Sequence, residues 1–402
     1  MAKYGFDYIL LICALLLSLI GIAFIYSATH HAAEVGQQTY YQKQALWLGL
    51  SILAGFIIYM LPLKMHEAMA YVYYWIAVIS LILVLLLSRG GAARWFYMGG
   101  FAIQPVEVAK IALCLSLSRF LAYRHAKLHR FSTIFIGLMI VALPTILVIK
   151  QPDLGSSLVG LALFLGLLVW TGMPVSRIIL VVSPVLSIIT AFHWLSWAIF
   201  FFAFIFLLYL SRPRLLAGAV FLLINLVVGM ATPILWNRLH GYQRLRILTF
   251  LDPGQDPAGA GYQIIQSKIA IGSGGFWGKG FMHSTQTRLD YLPAQHTDFI
   301  FSVIGEETGF IGAMVVIILF AIIIVRGFLI ANKVRNSFTS YVAAGLTTII
   351  FFQMVVNIGM TIGLMPVTGL PLPFVSYGGS SMLFFWAIVG MLLAINRDWQ
   401  EY

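Results

Sequence analysis

Residues 299–325 read FIFSVIGEETGFIGAMVVIILFAIIIV. Apart from Glu306 and Glu307 the stretch carries no charge, and it shows no alternation of apolar and polar residues. A membrane-crossing helix needs about 20 predominantly apolar residues. In hydrocarbon the backbone must satisfy itself, so a single strand cannot cross and a helix can. The stretch is therefore read as a transmembrane helix.

Further apolar runs lie near 6–27, 44–61, 70–88, 106–123, 132–149, 154–171, 177–193, 195–211, 214–236, 342–363 and 376–396. Composition agrees: 61% of residues are hydrophobic and 9% charged, against about a quarter charged in a soluble chain. A soluble core and intrinsic disorder are excluded, and two cysteines cannot build a disulfide scaffold. The expected fold class is all-α, a polytopic integral membrane helical bundle of about twelve transmembrane helices in one membrane domain, residues 1–402. Lys3 and the apolar run after it resemble a signal sequence, but the run is too long for one and is read as an uncleaved first span.

Charge sets the orientation. With the N-terminus inside, the inner loops hold Lys64, the cluster Arg119, Arg124, Lys127 and Arg130, then Arg177, Arg212, Arg214, Arg326, Lys333 and Arg335. The short outer loops hold only Lys43, Arg89, Arg94 and Lys150. This is the positive-inside pattern, so both termini are expected in the cytoplasm. The net charge of +11 reflects these loops and not a nucleic-acid surface. Residues 237–298 form a long outer segment with no plausible span, and such loops are usually functional. Nine of the thirteen acids, from Glu34 to Glu307, fall on the outer side or in the outer half of a span. Chemistry or binding is therefore expected at the outer face.

Ionisable groups within spans are costly and point to function. Glu107 and Lys110 stand three apart on one helix face, just after Gln104-Pro105. They are either a self-neutralising packing pair or part of a site. Asp298 opens the helix quoted above, after His296 and Thr297; it can cap the helix, do chemistry, or both. Glu306 lies about two turns further in, and Lys110 is its expected partner. Ile271-Gly272-Ser273-Gly274-Gly275, with Gly278 and Gly280, would let backbone N–H groups cradle phosphate. Lys268 and Lys279 flank it and favour an anionic ligand. Arg244 and Arg246 could hold phosphate or anchor the loop at headgroups. Arg94 and Trp95 form an interface anchor or a place for sugar or lipid. Ser376, Ser380 and Ser381, among Pro371, Pro373, Gly378 and Gly379, line a polar groove or satisfy a broken helix. There is no Walker A loop, no zinc-type spacing and no nucleophile elbow.

Taken together these motifs resemble the SEDS family (shape, elongation, division and sporulation). The resemblance rests on Gly261-Tyr262-Gln263 through Gly275, Leu292-Pro293, His296-Thr297-Asp298-Phe299-Ile300-Phe301 and Gly305-Glu306-Glu307. It rests also on Arg94-Trp95, Gln104-Pro105 with Glu107 and Lys110, Gln151-Pro152-Asp153-Leu154-Gly155, and Pro373 to Ser380. Lys268 to Gly275 looks more like the elongation member than the division member. The resemblance implies a peptidoglycan glycosyltransferase that polymerises lipid II onto a nascent glycan, both on undecaprenyl pyrophosphate. It implies a site at the outer face of the cytoplasmic membrane, and it places the essential acid at Asp298. It implies a class B penicillin-binding protein, a transpeptidase, as partner. Val106 departs from the family's usual serine, and residues 177–211 form a hairpin beyond the usual ten spans.

This chemistry suits the residues. A sugar hydroxyl needs a base, and a partly desolvated carboxylate can have the raised pKa a base requires. Asp298 is assigned as base, with Glu107, Lys110 and Glu306 in support. Arg244, Arg246, Lys268 and Lys279, with a possible divalent cation (Mg or Mn), would steady the departing pyrophosphate. Arg94, Trp95, Gln104, Asp153, Ser273, His296, Thr297, Ser376 and Ser380 complete the expected substrate contacts. A flippase for the same lipid, or a non-catalytic scaffold for a transpeptidase, are the competing readings.

Overall fold

The computed structural model describes residues 6–30, 36–87, 94–98, 101–124, 131–211, 215–238, 244, 248–249, 252, 254, 260–285 and 295–398. Among these are thirteen α-helices: α1 (Tyr8–Thr29), α2 (Tyr40–Met60), α3 (Leu63–Leu87), α4 (Pro105–Tyr123), α5 (Phe131–Lys150), α6 (Leu154–Trp170), α7 (Val175–Thr190), α8 (Trp194–Ser211), α9 (Leu215–Arg238), α10 (Ala260–Gly274), α11 (Ile300–Lys333), α12 (Ser337–Thr361) and α13 (Gly379–Arg397). Twelve of them coincide with the twelve apolar runs. Nine described segments are long and apolar enough to cross a membrane. The others fall short for visible reasons: α4 carries Glu107, Lys110 and Arg119, while α6 and α7 have 17 and 16 residues.

Two elements escaped the sequence reading. The segment after α9 contains α10, and a short antiparallel hairpin, β1 (Phe96–Met98) with β2 (Phe101–Ile103), precedes α4. Neither is long or apolar enough to register as a span.

Local chemistry fixes several helix starts. Asp7 accepts from Leu10 N at 3.1 Å, and Asn336 accepts from Phe338 N at 2.8 Å. Asp153 caps α6 by accepting from Ser156 N at 3.1 Å. These carboxylate and amide oxygens satisfy N–H groups that have no intrahelical partner. Pro105 opens α4, where its missing N–H costs nothing.

Burial separates centre from periphery. In α13 89% of the span is buried, against 6% in α8. Close approach at the centre depends on glycine: a Cβ on Gly55 of α2 would lie 2.7 Å from Trp386 O, and one on Gly390 of α13 would lie 2.1 Å from Gly55 O. Helices in lipid pack by such small-residue contacts. The peripheral group α7–α9 is joined instead by polar side chains. Asn225 donates to Ser183 Oγ at 2.8 Å, and Trp197 Nε1 donates to Ser187 Oγ at 3.1 Å.

Helix α11 is broken at Gly309, where φ is +65°. Phe310 N and Ile311 N leave the helix ladder and donate to Gly275 O and Phe276 O. In exchange Lys279 N and Gly280 N donate to Glu306 O and Glu307 O at 3.0 and 2.9 Å. The turn after α10 thus complements the helix break bond for bond. That satisfies irregular backbone roughly 14 Å along α11 from its start.

Candidate active site

The site is built around the segment that leads into α11. Three consecutive carbonyls there are each held by a different donor. His296 O accepts from Tyr377 N at 2.9 Å, Thr297 O from Ser376 Oγ at 2.6 Å, and Asp298 O from Asn357 Nδ2 at 2.9 Å. Ser376 and Tyr377 belong to residues 362–378, a non-helical strap between α12 and α13. Asn357 also donates to Leu370 O of the strap at 2.8 Å. Gln44 of α2 holds the strap from the other side: its Nε2 donates to Ser376 O, and its Oε1 accepts from Gly378 N. With so many fixed backbone groups, Asp298 is presented on a rigid seat.

Asp298 itself is half-buried. Its Oδ2 lies 3.6 Å from where a Cβ on Gly369 would stand, so the carboxylate faces bare strap backbone. Phe299 occupies the N-cap position of α11 without a capping side-chain bond, so Asp298 stands one residue ahead of the cap. Beside it His296 packs with Tyr40 at 5.1 Å and Tyr377 at 5.8 Å, and the two tyrosine rings stack at 4.5 Å. Burial in this aromatic cluster pushes the His296 pKa below its ordinary value and the Tyr377 pKa above its own.

A second group of motifs reaches the same strap. Gln104 donates to Asp153 Oδ2 at 3.3 Å, and Ser156 Oγ donates to the same oxygen at 2.9 Å. Arg94 Nε donates to Gln151 O at 3.0 Å, and its guanidinium also meets Pro152 O. A Cβ on Gly155 would lie 2.6 Å from Thr368 O, next to Gly369. The turn at 151–155 therefore abuts the strap that faces Asp298. Trp95 is part-buried ahead of β1. Ser380 is buried in the first turn of α13.

Glu107 and Lys110 form the expected pair, at 2.8 Å and with side chains 5% and 4% exposed. The Lys110 ammonium also lies 4.6 Å from the Phe384 ring centre on α13.

Two expectations need correction. Glu306 does not pair with Lys110, which is committed to Glu107 on α4. Its partner is Lys279 at 2.7 Å, with Ser284 Oγ, Thr285 N and Thr285 Oγ1 also donating to it. The glycine-rich turn is not an open phosphate cradle, because the N–H groups of Lys279 and Gly280 are spent on α11 carbonyls. A Cβ on Gly278 would stand 2.1 Å from Glu307 O, so its openness serves packing. Arg244 anchors its loop: Nε donates to Trp236 O and Nη2 to Asn237 Oδ1, at the end of α9.

Of the remaining candidates, Lys268 is exposed and lies against Gly363 at the end of α12. Ser273 bonds back to Ala270 O within α10. Arg246 lies outside the described residues. The sequence reading missed Asn357, Gln44, Tyr40 and Tyr377. Asn357 had a signal, being an amide in an otherwise apolar run, where an unpaired amide would be costly.

The family model described as cell cycle protein, FtsW/RodA/SpoVE, matches residues 7–198 and 195–401. Peptidoglycan glycosyltransferase MrdB of Escherichia coli (strain K12) is 38% identical over 352 residues, covering 87% of this chain and 83% of that one. Peptidoglycan glycosyltransferase RodA of Treponema pallidum (strain Nichols) is 34% identical, covering 97% of each. A chain in a solved structure described as "Structural coordination of polymerization and crosslinking by a peptidoglycan synthase complex" matches with a TM-score of 0.74 at 30% identity, over 99% of each chain. Rod shape determining protein RodA of Thermus thermophilus matches with a TM-score of 0.65 at 26% identity, over 98% of each.

Proposed function

The chain belongs to the FtsW/RodA/SpoVE family of cell cycle proteins, and from that premise we propose that it is a peptidoglycan glycosyltransferase of the RodA type, polymerising lipid II during cell elongation. The observation that carries the reading is the seat of Asp298, one carboxylate on a backbone held at three successive carbonyls. A base that must meet a hydroxyl at hydrogen-bond distance needs such fixed placement.

In this reading the active site lies at the outer face of the cytoplasmic membrane, with both termini inside. Asp298 removes the proton from a sugar hydroxyl of the incoming lipid II. That oxygen attacks the anomeric carbon of the growing strand, the bond to the pyrophosphate breaks, and undecaprenyl pyrophosphate leaves. Lys268 is exposed and pairs with no carboxylate among the described residues, which suits contact with the leaving phosphates. Lys279 acts differently from expectation: it neutralises Glu306 and keeps the turn on α11. Lys110, paired with Glu107, holds α4 against Phe384 of α13. Gln104 and Asp153 fix the 151–155 turn against the strap.

Among the described residues no group of three or more His, Cys, Asp or Glu side chains is placed to hold a metal ion. A single carboxylate is compatible with Mg or Mn held chiefly by substrate, since Mg characteristically takes one or two carboxylates plus phosphate oxygens. Such an ion would supply positive charge to the pyrophosphate. A class B penicillin-binding protein is the partner we infer, because the structurally similar chain comes from a complex of polymerization and crosslinking.

Reconstitution with labelled lipid II in vesicles separates polymerisation from transport. The proposal expects new glycosidic bonds and glycan polymer. Movement of lipid II between leaflets without polymer would overturn it.

A further inference from the structure

Asn357 sits at 0% exposure, one turn before the end of α12. Its single amide nitrogen reaches two backbone carbonyls on two different segments, Asp298 O at 2.9 Å and Leu370 O at 2.8 Å. Leu370 follows Gly369, whose backbone faces the Asp298 carboxylate. The amide therefore fixes both walls of one gap: the residue bearing the carboxylate and the strap it faces. Among the described residues its buried Oδ1 accepts no hydrogen bond, so the side chain is held by what its nitrogen donates. From this juxtaposition we infer that Asn357 is a positioning residue, which sets the distance between the Asp298 carboxylate and the strap at Gly369. The inference rests on the reading of Asp298 as the base.

The physical case is one of donors. Strap and α11 entry are both non-helical, so their carbonyls have no ladder to occupy them. Two N–H bonds from one planar amide hold them at a fixed separation. An error on the order of 1 Å in the placement of a reacting group can cost about a hundredfold in rate. Gln353 provides an internal control. It lies one turn earlier on the same helix, is also at 0% exposure, and has neither amide atom hydrogen-bonded among the described residues. It is an equally buried amide that holds nothing.

The test compares Asn357→Asp, Asn357→Leu and Gln353→Leu in the full chain bound to its partner transpeptidase. Asn357→Asp keeps the shape but cannot offer two N–H groups; Asn357→Leu keeps similar volume with none. Polymerisation rate is normalised to the number of sites that bind lipid II, so misfolded protein drops out of the comparison. The expected result is a fall in kcat on the order of tenfold to a hundredfold for both Asn357 variants, with KM for lipid II changed by less than about threefold. Gln353→Leu should match wild type. Wild-type kcat per binding site in either Asn357 variant would overturn the inference, and so would an equal loss in Gln353→Leu. Asp298→Asn run alongside keeps the two ideas apart. If it stays active, the base assignment fails; if it is inactive while Asn357→Asp is normal, only the positioning role fails.

Discussion

Lys279 places its ammonium 2.7 Å from Glu306, across the turn that joins α10 to the broken middle of α11. The lysine side chain is 27% exposed and the glutamate 1%. The pair closes the exchange of four backbone bonds that fastens this turn to the helix. Removing the lysine would take a cation away from a buried carboxylate. Lys279→Met is therefore expected to destabilise the protein by roughly 2–4 kcal/mol, somewhat less than for a fully buried pair because one partner is part-exposed. Pairing it with Glu306→Gln should recover part of that loss. Thermal unfolding in detergent measures this, and a double variant no more stable than Lys279→Met would contradict it.

Two glycines of the same segment, Gly272 and Gly278, stand in different surroundings, and substitution distinguishes them. Gly278 has φ of +82° and would put a Cβ 2.1 Å from Glu307 O, whereas Gly272 has nothing within 4 Å of a Cβ. Gly278→Ala should cost about 1–3 kcal/mol through backbone strain, with further loss from the clash. Gly272→Ala lies in helix α10 and should be neutral or stabilise by about 0.4–1 kcal/mol. Equal stability of the two variants would show that the turn is not docked on α11 as described.

The His296 ring is a source of acid sensitivity. Burial lowers its pKa from the ordinary value of 6.5, so the folded state disfavours the protonated ring more than the unfolded chain does. The unfolded chain then binds more protons between the two values, and stability falls as pH drops through about 6.5 toward the lower folded value. Melting temperature measured from pH 7.5 to 5 should decline in wild type and decline less in His296→Gln. An identical acid slope in both would remove His296 from the explanation.

The Glu107–Lys110 pair is buried on both sides, and removing one charge leaves the other stranded. Glu107→Gln or Lys110→Met is expected to cost roughly 3–5 kcal/mol, and the double variant less than the sum of the two. A double-mutant cycle on unfolding checks this. Additive losses would mean the two groups do not interact.

Much of this arrangement was legible in the residues. Twelve apolar runs became helices because a backbone in lipid has few other options, and Glu107 with Lys110 paired because three residues on a helix bring them to one face. Asp298 stood out as an acid at the mouth of an apolar helix. What was not legible depended on contacts distant in sequence. Spacing placed Glu306 near a lysine of another helix, but the lysine that reaches it comes from a turn folded back onto α11. The glycines suggested a phosphate cradle because open backbone serves a ligand or a neighbouring helix equally well. Asn357 was passed over because one amide in an apolar run does not reveal which carbonyls it will meet.

The most direct test of the central claim is glycan polymerisation by the purified chain with its partner transpeptidase, the partner having no glycosyl transfer of its own. Lipid II is supplied, and polymer is read on a gel for wild type and Asp298→Asn. With Asp298 as base, wild type should form polymer and the variant should fall by at least about a hundredfold while remaining folded and partner-bound. Substantial polymer from Asp298→Asn would contradict the assignment.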